Sequence, residues 1–218
     1  YFTMPRDPVK MSELLPSRLL KFVTAAPLPS DSEIDLGVHI IAGLGHINLR
    51  GNSESSEFSH SFERLVGLPL PQQANQFVEV DRKQVFWLGP NEGLVLIADA
   101  QLPQLTRDLR QSFTGLHATV TDLSGAGVVL QIQGAHAADI LSKGCTLDLH
   151  PDHFKGGDCA QTGLAKANML LACRTAGEDY TLVVRRTYAE YLLQWLLHSA
   201  QDCRVCVSVA SSEQADAG

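Results

Sequence analysis

One order of sequence signals occurs twice along this chain, and the repetition restricts it to folds built from two similar halves. The first copy opens with the strand-like run HINLRG (46–51), closed by Gly51. A polar loop and the helix candidate FSHSFERLVGL (58–68) follow, and then PLPQQ. QVFWLGPNEGLVLIAD (84–99) reads as two β-rich runs around a Gly-Pro-Asn-Glu-Gly turn, a hairpin signal. LPQLTRDLRQSF (102–113) sets Leu102, Leu105, Leu109 and Phe113 on one helical stripe, and HATVTDL (117–123) closes the copy as a strand.

The second copy keeps that order. VVLQIQG (128–134) is a strand ending in Gly134, and AHAADILSKG (135–144) a short helix. NMLLACRTAGEDYTLVVRR (168–186) is a hairpin turning at Ala176-Gly177-Glu178-Asp179. TYAEYLLQWLLHSA (187–200) is a helix with Tyr188, Tyr191, Leu192, Trp195 and Leu196 on one face, and CRVCVSV (203–209) the closing strand. Gly51 to Gly134 is a shift of 83 residues and Asp99 to Arg186 a shift of 87, a difference that small loop insertions absorb. The reading is an α+β fold made of a duplicated strand–helix–hairpin–helix–strand unit, because hairpins mixed with helices do not build a doubly wound parallel sheet. Residues 34–210 form one compact domain of two pseudo-repeats, about 40–123 and 127–209. Residues 1–33, with Pro5, Pro8, Pro16, Pro27 and Pro29, read as an arm outside the core with one short helix near 11–23, and 211–218 as a polar tail.

Charge and hydropathy exclude several functions. Against 24 acidic residues stand 17 basic ones, for a net charge of −7. That balance lacks the clustered Lys and Arg that neutralise nucleic-acid phosphates. No apolar run is long enough to cross a bilayer, and YFTMPRDPVK has no signal-peptide core, so a cytoplasmic protein is expected. Five cysteines are then buried thiols rather than a disulfide framework.

Each candidate site has a functional and a bland reading. CTLDLHPDHFKGGDC (145–159) places Cys145, His150, His153 and Cys159 at spacing C-x4-H-x2-H-x5-C. Structural zinc favours ligand pairs two to four residues apart, aimed by one knuckle or one helical turn. Here the cysteines lie outside the histidines and Pro151 pushes His150 towards extended backbone. The expectation is two half-buried cysteines at strand ends and two histidines on an exposed loop, with no metal bound. Cys203 and Cys206 form a nominal C-x-x-C, but in a strand their Cα atoms lie about 10 Å apart, beyond disulfide reach. GLGHIN (43–48) and GAGVVL (125–130) miss the third glycine of a dinucleotide fingerprint, at Asn48 and Leu130. GAG also joins two strands, whereas the fingerprint opens a helix. Lys166 reads as a surface strand lysine. Trp195 reads as core, and Thr187 as the N-cap of the last helix. Trp87, Arg185 and Arg186 are partner-interface candidates, as large apolar and guanidinium groups are enriched at interfaces. No catalytic, cofactor-binding or metal-binding residue is assigned.

WLGPNEGLVL, TDLSGAGVVLQIQGAHAADILSKGCTLDLHP, CAQTGLAKANMLL and YTLVVRRTYAEYLLQWLL, spanning about 87–197, together resemble the gamma subunits of heterotetrameric sarcosine oxidases. The resemblance implies a fold similar to the folate-binding domain of aminomethyltransferases and a structural, non-catalytic subunit. Its expected partners are the alpha, beta and delta subunits, of a complex that demethylates sarcosine to glycine with release of hydrogen peroxide. FAD, FMN, NAD and zinc are expected in those partners, with tetrahydrofolate accepting the one-carbon unit as methylenetetrahydrofolate, and none of these groups is expected in this chain. The equivalent subunit of an N-methylglutamate dehydrogenase and a stand-alone folate-binding protein of the aminomethyltransferase kind are the alternatives. His153, Gly156 and Gly157 and the arm at 1–33 fall outside the resemblance.

Overall fold

The structure is a computed structural model that describes residues 17–24 and 34–211. In chain order it forms α1 (Ser17–Leu20), β1 (Leu36–Ala42), β2 (Leu44–Arg50), α2 (Ser56–Val66), β3 (Phe77–Val80) and β4 (Lys83–Gly89). Next come β5 (Glu92–Ala98), α3 (Leu102–Ser112), β6 (Thr119–Asp122), β7 (Gly127–Gln133) and α4 (Ala137–Ser142). The last elements are β8 (Cys159–Leu164), β9 (Ala167–Thr175), β10 (Asp179–Arg185), α5 (Arg186–Ser199) and β11 (Val205–Ser211). The fold is α+β with two sheets.

Strand order displays the duplication. One sheet runs β3-β4-β5-β2-β6 and the other β8-β9-β10-β7-β1-β11. Equivalent strands occupy equivalent places once β1 is set aside. β2 pairs directly with β6, whereas β1 lies between their counterparts, antiparallel to β7 and parallel to β11. The same two backbone hydrogen bonds close each unit. The Gly51 N–H donates to the Asn91 carbonyl at 3.0 Å and the Gly134 N–H to Glu178 at 2.9 Å. The Asp99 N–H donates to Gly43 at 2.8 Å and the Arg186 N–H to Ala126 at 2.9 Å. Donors and acceptors are displaced by the same 83 and 87 residues that relate the sequence copies.

Each sheet is covered twice. Helices α2 and α3 cover one face of the five-stranded sheet, with Phe58, Phe62, Val66, Leu105 and Leu109 against Ile47, Leu49, Val85 and Val95. Helices α1, α4 and α5 do the same for the six-stranded sheet. Between the sheets Phe77, Phe86, Leu94 and Leu96 meet Val129, Cys159, Leu170 and Ala172. Alternate residues of one strand therefore serve different layers: in β9, Met169, Leu171 and Cys173 face the helices while Leu170 and Ala172 face the other sheet. Because side chains alternate across a strand, burial of both faces requires an unbroken apolar run.

Several expectations need correction. Leu19 is fully buried in the core, and the Thr24 N–H donates to the Val207 carbonyl on β11. Residues 17–24 thus belong to the domain, since one helical turn with Leu19, followed by Phe22 and Val23, suffices to cover a sheet edge despite the flanking prolines. Expectations for 1–16, 25–33 and 212–218 lie outside the described residues. Helix α5 buries Ala189, Leu192, Leu193 and Leu196, a stripe rotated by one residue from the expected one. Tyr188 is exposed and Tyr191 and Trp195 are half-buried, because aromatic rings can lie along the edge of an apolar contact with one side wet. Thr187 is not the cap: Arg185 holds the N-cap position without a side-chain bond. Helix α2 starts two residues before the expected FSHSFERLVGL, where the Ser55 hydroxyl accepts from the Phe58 N–H.

Gly134 tests the packing most directly. Its φ is +133°, and a Cβ there would lie 2.3 Å from the Asp35 carbonyl oxygen. Gly134→Ala is expected to cost roughly 2–4 kcal/mol from backbone strain and displacement of β1. Urea unfolding of the full chain measures it, and a variant as stable as the parent would remove the close-approach argument.

Candidate functional site

Segment 145–159 is the place where the two units diverge. In the first, α2 runs on to Val66. In the second, α4 ends at Ser142 and the chain continues without a strand or helix until β8 begins at Cys159. Its ligand-type residues separate. Cys145 forms an isolated bridge with Leu164, and its thiol lies 3.9 Å from the Thr162 hydroxyl. Cys159 is fully buried rather than half-buried, and its thiol points to the Trp87 carbonyl at 3.8 Å. Burial pushes that thiol up to about 12, which disfavours the thiolate that zinc requires. His150 and His153 are exposed and face Asp152 and Asp148 at 3.6 and 3.2 Å. Among the described residues no group of three or more His, Cys, Asp or Glu side chains is arranged to hold a metal ion.

Other motifs fall at connections. Gly43 lies between β1 and β2, and GAG (125–127) joins β6 to β7, so neither glycine motif meets a helix N-terminus. Cys206 is on β11, but Cys203 sits in the turn before it, not in the strand as expected, because β11 starts only at Val205. Both are free thiols. Lys166 is exposed in the tight turn between β8 and β9 rather than within a strand, since Leu164 already pairs with Ala167 across it.

The interface candidates occupy different surroundings. Arg185 is exposed at the end of β10, beside Tyr188 on the first turn of α5. Leu123, 39% exposed, belongs to the turn whose Ala126 carbonyl receives the Arg186 N–H. Arg186 is half-buried, and its charge helps to lower the His46 pKa. Trp87 is half-buried on β4, its backbone N–H bonded to the Gln76 carbonyl.

Sequence reasoning missed a cleft of about 640 Å³ where the sheets part. Its six-stranded wall carries His39, Gln131 and Thr181, paired in register across β1, β7 and β10, with Ser208 of β11 beside His39. The His39 Nδ1 lies 2.8 Å from the Ser208 hydroxyl. Opposite stands the β3–β4 hairpin with Glu79, Val80, Asp81, Arg82 and Gln84, and its turn has φ of +46° at Asp81 and +67° at Arg82. Arg174 ties the walls together, with its guanidinium 2.9 Å from Glu79 on β3 and 3.1 Å from Asp179 on β10. The available signal was a polar residue inside an apolar strand run: Gln131 in VVLQIQ, His39 in GVHII and Gln84 in KQVFW.

His46 supplies a pH test. It is 4% exposed, with its ring packed where a Gly127 Cβ would stand. Burial lowers its pKa from 6.5 to about 4; Asp122 opposes that shift and Arg186 adds to it. The folded state therefore favours the neutral ring. The associated stability is complete above pH 6.5 and is lost as pH falls towards about 4. From pH 7 to about pH 5 the chain should lose about 2 kcal/mol through this group. Urea titrations at both pH values should show a loss at least halved in His46→Gln, and an unchanged loss would refute the assignment.

Comparison with known proteins identifies the chain's relatives. It is 32% identical over 137 residues to the sarcosine oxidase subunit gamma of Corynebacterium sp. strain U-96, covering 62% of this chain and 65% of that subunit. With the strain P-1 subunit it shares 29% over 163 residues, or 74% and 78% of the two chains. The aligned region thus spans just under two thirds of the first relative's length. The solved heterotetrameric sarcosine oxidase from Corynebacterium sp. U-96, in complex with pyrrole 2-carboxylate, contains a chain of the same fold. It matches at 25% identity and a TM-score of 0.72 over 91% of this chain and 96% of that one. The glycine cleavage system aminomethyltransferase T from Bartonella henselae matches with a TM-score of 0.60 and 15% identity over 81% of this chain and 48% of that one, a likeness of fold alone. Residues 50–202 match the sequence model of the "Sarcosine oxidase, gamma subunit family", and the chain belongs to that family.

Proposed function

We propose that this chain is a structural subunit of a heterotetrameric sarcosine oxidase, assembled with alpha, beta and delta chains and contributing no reacting group of its own. The observation that carries the reading is the family match over residues 50–202, joined by a TM-score of 0.72 to a chain of a heterotetrameric sarcosine oxidase. The separation of Cys145, His150, His153 and Cys159 supports the structural role, since the most ligand-rich stretch of the sequence does not converge. In this reading FAD, FMN, NAD and zinc belong to the partners, and the complex oxidises sarcosine to glycine and hydrogen peroxide. Among the described residues no helix is long and apolar enough to cross a membrane.

Arg185, with exposed Tyr188 and Leu123 close by, is the best-presented contact for the alpha chain; Arg186 and Trp87, both half-buried, would lie at contact margins. Aromatic and guanidinium groups of this kind dominate interface energetics. Co-expression with the three partner chains and affinity capture through this one test the proposal. The expected product is yellow, contains all four chains and forms peroxide with sarcosine, whereas this chain purified alone forms none. Arg185→Glu is expected to weaken capture of the alpha chain about tenfold. Peroxide formation by the isolated chain would overturn the structural role. A complex active on N-methylglutamate but not sarcosine would move the chain to a related dehydrogenase. A chain that arrives alone and saturably binds tetrahydrofolate would favour the transferase-like alternative.

A further inference from the structure

We infer that the open end of the five-stranded sheet is a docking surface for an acidic hairpin of a partner chain, whose carboxylate pairs with Arg50 as Glu79 pairs with Arg174. This deepens the subunit reading and rests on it, because the hairpin belongs to a companion chain of the complex. The two units carry one polar network twice. In the second, Gln131 and Gln133 on β7 donate to Asp179 on β10, each at 3.1 Å. In the first, Asn48 and Arg50 on β2 donate to Glu92 on β5 at 2.8 and 3.0 Å. The shifts of 83 and 87 residues that relate the backbones relate these side chains too. Cross-strand register agrees, with Arg50 opposite Glu92 and Gln133 opposite Asp179.

The networks differ in what lies over them. In the second unit the Arg174 guanidinium joins Asp179 to Glu79 of the β3–β4 hairpin, so a hairpin from the other unit covers the network. The Arg174 side chain is 32% exposed and that of Asp179 15%. In the first unit the guanidinium is that of Arg50, and among the described residues Glu92 is its one carboxylate partner. Arg50 is 64% exposed and Glu92 29%. A guanidinium presents five donors in a planar fork and accommodates two carboxylates at once. Arg174 uses both sides of its fork, and Arg50 only one.

The surrounding face extends the surface. Val120 packs against the helices, so Thr119 and Thr121 lie on the opposite, inner face of β6. Leu123 continues that row, and all three are exposed. Elsewhere the inner face is covered by the other sheet, at Phe77, Phe86, Leu94 and Leu96. Arg185 adjoins the row: it pairs in register with Gly127, which packs on the ring of His46, two residues before Asn48 on the same face of β2. Two exposed guanidiniums, Arg50 and Arg185, thus flank one row on a chain of net charge −7. Charge complementarity selects an acidic occupant.

Capture of the co-expressed alpha, beta and delta chains through this chain tests the surface. Thr121→Glu and Thr121→Gln add side chains of one size and differ in charge. Thr121→Glu should weaken capture about tenfold relative to Thr121→Gln, and Arg50→Glu about tenfold relative to the parent. Arg107→Glu, on the exposed face of α3, should capture like the parent. Urea unfolding of each isolated chain establishes that the variants fold. A parent chain that captures no partner would remove the subunit reading and this inference with it. Where the parent does capture partners, full capture by either folded charge variant, equal effects of Glu and Gln at position 121, or an equal loss in Arg107→Glu would overturn the docking surface alone. A dimer of the isolated chain that Thr121→Glu dissolves would give the face to a second copy and likewise overturn it.

Discussion

Burial of both sheet faces is the constraint on which the rest of this molecule depends. Four layers, helices–sheet–sheet–helices, require each central strand to be apolar on both sides, and LVLIA in β5 and MLLAC in β9 meet that requirement. The helices need only one apolar stripe, and the hairpin turns carry the polar residues. Where the inter-sheet layer is relieved of packing, at His39, Gln131, Thr181 and Gln84, polarity returns at once. The cleft and the core are thus two outcomes of one geometry.

What was legible in the sequence follows the same logic. The stripe of α3 was readable because that helix has one buried face and a charged opposite face. The stripe of α5 was misread by one position because Tyr188, Tyr191 and Trp195 look apolar while lying at the margin. Strand β1 left no repeat signal because it has no counterpart in the first unit, and β3 has only four residues. Leu19 was hidden among prolines and polar residues. The separation of Cys145, His150, His153 and Cys159 was anticipated by their spacing and by Pro151. The cleft was not, because its lining comes from eight strands, from β1 to β11, and no local motif records such a meeting.

Duplication also shows how little this fold asks of its side chains. Two pairs of backbone hydrogen bonds hold both units in the same frame, and they make no demand on side chains except glycine at close approaches. Side chains on the inner face and the 143–158 connection are left to vary. The likeness in fold to an aminomethyltransferase at 15% identity shows that a backbone of this form is compatible with very different residues.

The position of β1 has a consequence for how the chain acquires its shape. The six-stranded sheet takes its penultimate strand from residues 36–42 and its last from 205–211, paired in parallel at a separation of 169 residues. During synthesis the first sheet can close as soon as β6 emerges. The second cannot: β1 waits for β7, and its outer edge stays open until the final strand leaves the ribosome. Contacts of such long range slow folding and leave backbone donors and acceptors available to other chains meanwhile. The two halves resemble each other in space, but they cannot be independent in time.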